Sequence, residues 1–200
     1  MSVRHLVKLV MELARLVELE SDAIRALRPL KAPVILGDPR SLRDYCMRAF
    51  TALSDAASSY EEAGMRALRV REELDRLKLP REELWRLREL LIKARGLADP
   101  EYYELEARYV RALAKLYFLM GWAAELYEQR SSREYAKIVE HARDLAGELG
   151  ELEGRLKWIR LERALIAQAQ PGQGDEELRE PRATSWLSGE EDNDYECGDW

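Results

Sequence analysis

The residues best suited to chemistry in this 200-residue chain are arginines placed around a tryptophan. Arg81, Trp85, Arg88 and Arg95 follow one another at intervals that put them on one face of a helix. Guanidinium groups pair with phosphates, and indole rings stack on bases, so the stripe predicts contacts to single-stranded nucleic acid. The alternative is a surface helix whose Trp85 docks on the rest of the protein while the arginines pair with neighbouring acids.

The remaining polar residues predict neither catalysis nor metal binding. The chain has two histidines, His5 and His141, and two cysteines, Cys46 and Cys197, which are too few and too scattered for a metal site or a disulfide framework. It contains no Glu-x-x-His pair, glycine-rich phosphate loop or Cys-x-x-Cys motif. Its glutamates alternate with arginines at salt-bridge spacing, which is typical of solvated helix faces. We therefore expect no enzymatic activity, no metal or cofactor and no small-molecule substrate.

The clearest periodic pattern is a heptad over residues 132–169. Its a positions hold Tyr135, Ala142, Leu149, Leu156 and Arg163, and its d positions hold Ile138, Leu145, Leu152, Ile159 and Ile166. Such a seam predicts a helix that packs against another helix of the same chain, of a second copy or of a partner. The predicted association face comprises Ile138, Leu145, Leu149, Leu152, Leu156, Ile159 and Ile166.

Charges beside this seam favour one orientation. In a parallel homodimer Glu148 would face Glu153, and Arg155 would face Arg160, so both pairs would repel. An antiparallel arrangement places Glu148 opposite Arg155, a preference of roughly 0.3 to 0.5 kcal/mol per exposed pair. Antiparallel or heterotypic packing is therefore expected.

A second stripe on the same helix lies away from the seam and combines glycines with large apolar residues. Its members are Gly147, Gly150, Gly154, Trp158, Leu161 and Leu165. Because glycine costs about 1 kcal/mol at an interior helix position, the stripe indicates either close approach of another helix or local weakness.

The rest of the chain is predicted to form four more helices, at about 2–27, 42–77, 80–96 and 100–126, with the longest connection at residues 29–40 and short connections elsewhere. The expected inward face of the first is Val3, Leu6, Val10, Leu13, Val17, Ile24 and Leu27. Short connections imply antiparallel neighbours, so we expect an all-α, elongated antiparallel helical bundle with a C-terminal coiled-coil-like helix. The expected parts are a four-helix body at 1–130, the zipper helix at 131–170 and a disordered tail at 171–200.

The tail is strongly acidic. It holds ten acids and two bases, a charge of −8, whereas the whole chain carries −6 and the remainder therefore +2. Trp186, Leu187, Tyr195 and Trp200 are candidate docking residues within it. The last ten or so residues are similar to the acidic C-terminal tails of single-stranded-DNA-binding proteins, and that resemblance implies partner recruitment and competition with nucleic acid for a basic surface.

These observations predict a non-enzymatic helical assembly or adaptor protein that associates through the zipper helix and recruits a partner through the tail. The expected partner is another protein or a second copy. The alternative is an accessory protein that binds single-stranded DNA or RNA through the Arg/Trp stripe. No apolar run approaches the roughly 20 residues that a bilayer requires, so we expect a soluble, cytoplasmic protein. The excess of arginine over lysine and the scarcity of asparagine are typical of hot environments or of GC-rich coding.

Overall fold

The computed structural model describes residues 3–31, 38–129 and 132–168, and these ranges are helical apart from short connections. The helices are α1 (Val3–Leu27), α2 (Pro39–Asp75), α3 (Arg81–Leu97), α4 (Pro100–Glu128) and α5 (Ser132–Gln168), with a 3-10 turn at Arg28–Lys31 after α1. The all-α prediction is confirmed for this part of the chain. The tail residues Trp186, Leu187, Tyr195 and Trp200 lie outside the described ranges.

Two helices begin with the same chemistry, an aspartate followed by a proline. The Asp38 carboxylate accepts a hydrogen bond from the Ser41 backbone N–H at 2.9 Å, and Asp99 accepts one from the Glu101 N–H at 3.2 Å. Each bond satisfies a backbone donor that the first helical turn leaves free, and a proline at the first position loses nothing by lacking an N–H. Helix α2 therefore begins at Pro39, a few residues before the start expected at about residue 42.

Helix α2 packs against α1 on one side and α4 on the other, and α4 also packs against α5. A Cβ on Gly64 would lie 3.5 Å from the Tyr103 Cβ, and one on Gly121 would lie 3.1 Å from the Cys46 Cβ. Gly64, in the second half of α2, therefore lies near the start of α4, whereas Gly121, late in α4, lies near the start of α2. Helices α2 and α4 thus run antiparallel. Small residues line the middle of α2 and let its neighbours approach closely; the buried ones are Ala49, Ala56, Ala57, Ala63 and Ala67. The predicted helical bundle is present.

The predicted zipper seam is covered by this chain itself. Ile138, Leu149, Leu152 and Leu156 are buried, while Leu145, Ile159 and Ile166 are half-buried. Helix α5 packs this face against α4. Helices α1 to α5 form one compact unit, so the boundary expected at residue 130 separates helices that pack together. Heptad spacing shows that a helix face is covered but does not show which helix covers it. The expected association face is therefore a contact within the chain.

The prediction for α1 was wrong about which face is inward. Leu9, Leu13, Leu16, Leu19 and Ala23 contribute to the core, whereas only Leu13 and Leu27 of the expected face do so. The other expected members whose burial is described lie at least two-fifths exposed, namely Leu6, Val10, Val17 and Ile24. Helix α1 thus carries one broad apolar arc, and periodicity alone could not show which side of that arc is inward.

None of the described helices combines the length and the apolar character needed to cross a bilayer.

Candidate interaction surfaces

The Arg/Trp stripe lies on the surface of α3. This helix contributes no buried residue, and Trp85 is 62% exposed. The Arg88 guanidinium carbon lies 5.5 Å from the centre of the Trp85 ring, within the range of a cation–π contact. Arg81 is exposed on the preceding turn. The structure thus brings Arg81, Trp85 and Arg88 to one accessible face, and Trp85 does not dock on the bundle.

Arg95, the fourth member of the stripe, is engaged by a neighbouring helix. Its Nη2 lies 2.9 Å from the Asp75 Oδ1 at the end of α2. Both side chains are more than half exposed, so the pair is screened by water and contributes little to stability. Arg76 is likewise paired with Glu72 and Glu73 of its own helix. The basic surface near α3 is therefore partly neutralised, and Arg81 and Arg88 remain accessible on it.

The glycine stripe of α5 faces outward. A Cβ added to Gly147, Gly150 or Gly154 would meet nothing within 4 Å. Further along the same face Trp158 is 73% exposed, and Leu161 and Leu165 are more than half exposed. Close approach of another helix, one of the two interpretations of this stripe, does not occur within the described part of the chain.

The outward face of α1 is an apolar helix surface that the sequence did not identify as exposed. Its members are Leu6, Val10, Val17 and Ile24. Val10, Val17 and Ile24 repeat every seven residues, and Leu6 lies one turn before Val10. The residues between these positions on the same arc, Ala14 and Ser21, are small and uncharged. A solvated helix normally carries charges on such a face.

A cluster of buried charges lies where α4 meets α5, and the sequence analysis missed it. Glu106 is 2% exposed, and its two carboxylate oxygens accept hydrogen bonds from Arg160 Nε at 2.6 Å and Nη2 at 2.7 Å. This bidentate geometry is the strongest form of an arginine–carboxylate pair. It compensates the cost of removing the carboxylate from water.

A second pair joins α1 to α5 beside the first. Arg163 Nη2 lies 3.1 Å from the Glu20 Oε2, and its Nη1 donates to the Gly96 carbonyl at 3.0 Å. Its guanidinium also stacks 3.8 Å from the centre of the Tyr102 ring. The Tyr102 hydroxyl donates to Glu20 at 2.9 Å, and the Tyr103 hydroxyl donates to the same carboxylate at 3.3 Å. One arginine therefore ties together α1, the end of α3, α4 and α5.

Burial and the nearby carboxylates act on the tyrosines of this cluster. Burial, followed by the charge of Glu20, raises the pKa of Tyr103 to about 12 and raises the pKa of Tyr102 as well. Burial, followed by the charges of Glu106 and Glu20, raises the pKa of Tyr60. The hydroxyls thus stay protonated, and those of Tyr102 and Tyr103 donate hydrogen bonds to Glu20, which is a structural role. No buried side-chain nitrogen or oxygen in the described ranges lacks a hydrogen-bond partner.

A signal for this cluster was present in the sequence. Arg163 occupies an a position of the heptad, where an apolar residue is usual, and Glu106 lies between Leu105 and Ala107 on a helix with two apolar sides. A charge at a core position requires a partner of opposite sign. The sequence could not show which acid pairs with which arginine, because the partners are 54 and 143 residues apart in the chain.

Metal ligands do not converge in the described part of the chain: no group of three or more His, Cys, Asp or Glu side chains there has the arrangement of a metal site. Cys46 is buried, and burial raises the pKa of its thiol, which disfavours the reactive thiolate.

Comparison of the chain with protein-family models, with curated proteins and with solved structures found no match.

Proposed function

We infer that this protein is a helical assembly or adaptor protein that binds a partner helix along the outward face of α1. The single observation that carries this proposal is the exposure of Leu6, Val10, Val17 and Ile24 on an arc without charge. Contiguous apolar surface of this kind is characteristic of protein interaction sites, whereas isolated exposed apolar residues are ordinary. The proposed face thus replaces the seam of α5, which this chain itself covers.

The spacing of these residues favours a helix as the binding partner. Side chains repeated at seven-residue intervals, with an intervening residue one turn away, form the row of knobs that a facing helix accepts in its holes. Val10 is 57% exposed, so a partner can still cover most of its side chain. Full burial of a valine or leucine side chain contributes roughly 1.5 to 3 kcal/mol. Several half-exposed members of the row together therefore provide a substantial driving force.

The partner can be a second copy or a different protein, and the mass in solution separates the two. Light scattering coupled to size exclusion, over a range of protein concentrations, measures self-association of the wild type and of Val10→Glu/Val17→Glu. A matched control is Met65→Glu/Leu90→Glu, which adds the same charges at exposed apolar positions on α2 and α3. If the α1 face joins two copies, the first variant is monomeric and the control keeps the wild-type mass.

If the wild type is monomeric at all concentrations, affinity capture from native lysate compares the same three proteins. The proposal expects a specific partner that the wild type and the control retain and Val10→Glu/Val17→Glu loses. Circular dichroism must show equal helicity in all three. The proposal fails if the α1 variant and the control behave alike in both measurements.

A second candidate function is binding of single-stranded nucleic acid by α3. The observation that favours it is the exposed contact between Arg88 and Trp85, with Arg81 beside them. An aromatic ring offers a stacking platform, and the two arginines supply charge for phosphates. The acidic C-terminal residues would compete with nucleic acid for these cations, as the charge of −8 over residues 171–200 suggests.

Fluorescence anisotropy of a labelled oligonucleotide tests this second candidate on the whole chain and on a version lacking residues 171–200. Binding should strengthen on tail removal, weaken steeply with salt and fall in Arg81→Gln/Arg88→Gln. Arg48→Gln/Arg108→Gln is the control, because both of those arginines are exposed and lie on other helices. Absence of binding at low salt by both chain lengths would eliminate nucleic acid as a ligand of α3.

A further inference from the structure

A cavity of about 480 Å³ opens where α3 and the C-terminal part of α5 meet α1 and α4. Its charged lining consists of Lys93, Arg160 and Arg163 against one carboxylate, Glu20. Tyr102 forms part of the wall, and the small residues Ala164 and Ala167 leave room along α5. Its volume lies within the range of small-molecule binding sites.

The three cations are not equally compensated. Arg163 is neutralised by Glu20, and Arg160 is neutralised by the buried Glu106. Lys93 is half-buried and forms no ion pair or hydrogen bond with any residue that the structure describes. Its ammonium group is therefore available to pair with an anion in the cavity.

Arg160 retains donors that face away from Glu106. Its Nε and Nη2 are used by the carboxylate, so its Nη1 keeps two N–H groups. The side chain is 48% exposed even though its partner is buried, which leaves the guanidinium accessible from the cavity. Lys93 and Arg160 thus line one space from two different helices.

We propose that this cavity binds a small molecule through a phosphate group held between Lys93 and Arg160. A phosphate carries about two negative charges and several acceptor oxygens, and a lysine together with an arginine edge matches both features. The organic part of the ligand lies along Ala164 and Ala167, whose side chains are small. This site is separate from the outward face of α1 and from the Arg81, Trp85 and Arg88 surface.

Isothermal titration and thermal unfolding of the full chain, at constant ionic strength, test the site with inorganic phosphate and with adenosine 5′-monophosphate as probes. The expected result is saturable binding and a rise in the unfolding midpoint that chloride does not reproduce. Lys93→Met keeps the aliphatic length and should weaken binding by at least about tenfold, the effect of losing roughly 1.4 kcal/mol. Lys137→Met removes an exposed lysine elsewhere and should bind as the wild type does.

Ala167→Phe provides a second, independent variant, because it fills the cavity from an exposed position on α5 without removing a charge. It should weaken the monoester more than inorganic phosphate. If the probes bind equally to the wild type, Lys93→Met and Ala167→Phe and raise their unfolding midpoints equally, the effect is non-specific and ionic. That result would overturn the proposed site. A monoester that binds no more tightly than inorganic phosphate would overturn the part of the proposal that places an organic body in the cavity.

Discussion

Glu106 and Arg160, on facing helices, form a bidentate ion pair with distances of 2.6 and 2.7 Å, and the carboxylate is almost completely removed from water. Beside this pair, Arg163 joins Glu20 to the end of α3. The two arginines lie one turn apart on α5, so one segment of this helix fixes the arrangement of its neighbours. Apolar packing alone would hold α5 against α4 but would fix its register less strictly.

Removal of Arg160 should destabilise the fold more than removal of a typical surface arginine. Arg160→Met leaves the Glu106 carboxylate buried without its partner, and we expect a loss of about 2 to 4 kcal/mol in the free energy of unfolding. Water reaches the half-exposed arginine site, which limits this loss. Glu106→Gln in addition should recover part of this loss. Chemical denaturation of both single variants and the double variant measures the coupling, and additive losses would contradict the role of the pair.

Alkaline pH should unfold the protein before its buried tyrosines ionise. Because burial raises the folded-state pKa of Tyr103 to about 12, above the ordinary value of 10.0, the unfolded chain loses this proton first as the pH rises. The stabilisation is therefore complete below pH 10 and declines between 10 and about 12, by roughly 1.4 kcal/mol per pH unit for one such group. Tyrosinate absorbance should show a late phase that coincides with loss of helicity. A single phase near the ordinary value would contradict this.

Glycines of α4 and α5 should respond oppositely to alanine. Gly150→Ala meets open space and gains about 1 kcal/mol from helix propensity. Gly121→Ala places its Cβ 3.1 Å from the Cys46 Cβ, so α2 and α4 must separate slightly, and the net effect should be destabilising. Thermal unfolding of the two variants compares them directly. Stabilisation by Gly121→Ala would show that the two helices yield without cost.

Leucines on opposite sides of α5 should also differ in how much their replacement by alanine lowers stability. Leu156 is fully buried in the core, so Leu156→Ala should cost about 2 to 5 kcal/mol. Leu161 is more than half exposed on the outward face, and Leu161→Ala should change stability by less than about 0.5 kcal/mol. Denaturant titration at low protein concentration tests both. A large loss at Leu161 would show that its face is covered in the protein in solution.

The sequence by itself determined that the described chain is helical, approximately where each helix lies, and that most of the a and d residues of α5 are at least partly covered. Local periodicity, proline positions and aspartate caps decide these features, because they depend on residues within a few turns of one another. The face formed by Arg81, Trp85 and Arg88 could also be predicted from the sequence, since all three residues lie on one short helix.

Only the tertiary structure decided which helix covers the seam of α5, which side of the apolar arc of α1 is inward, and which acid pairs with Arg160 and Arg163. The apolar arc of α1 is broad, so the orientation of this helix follows from how well Leu9, Leu16 and Ala23 fit against the other helices. The cavity beside Lys93 likewise arises from the meeting of four helices. Contacts between residues far apart in the chain depend on shape and on charge pairing in three dimensions, which spacing along one helix does not encode.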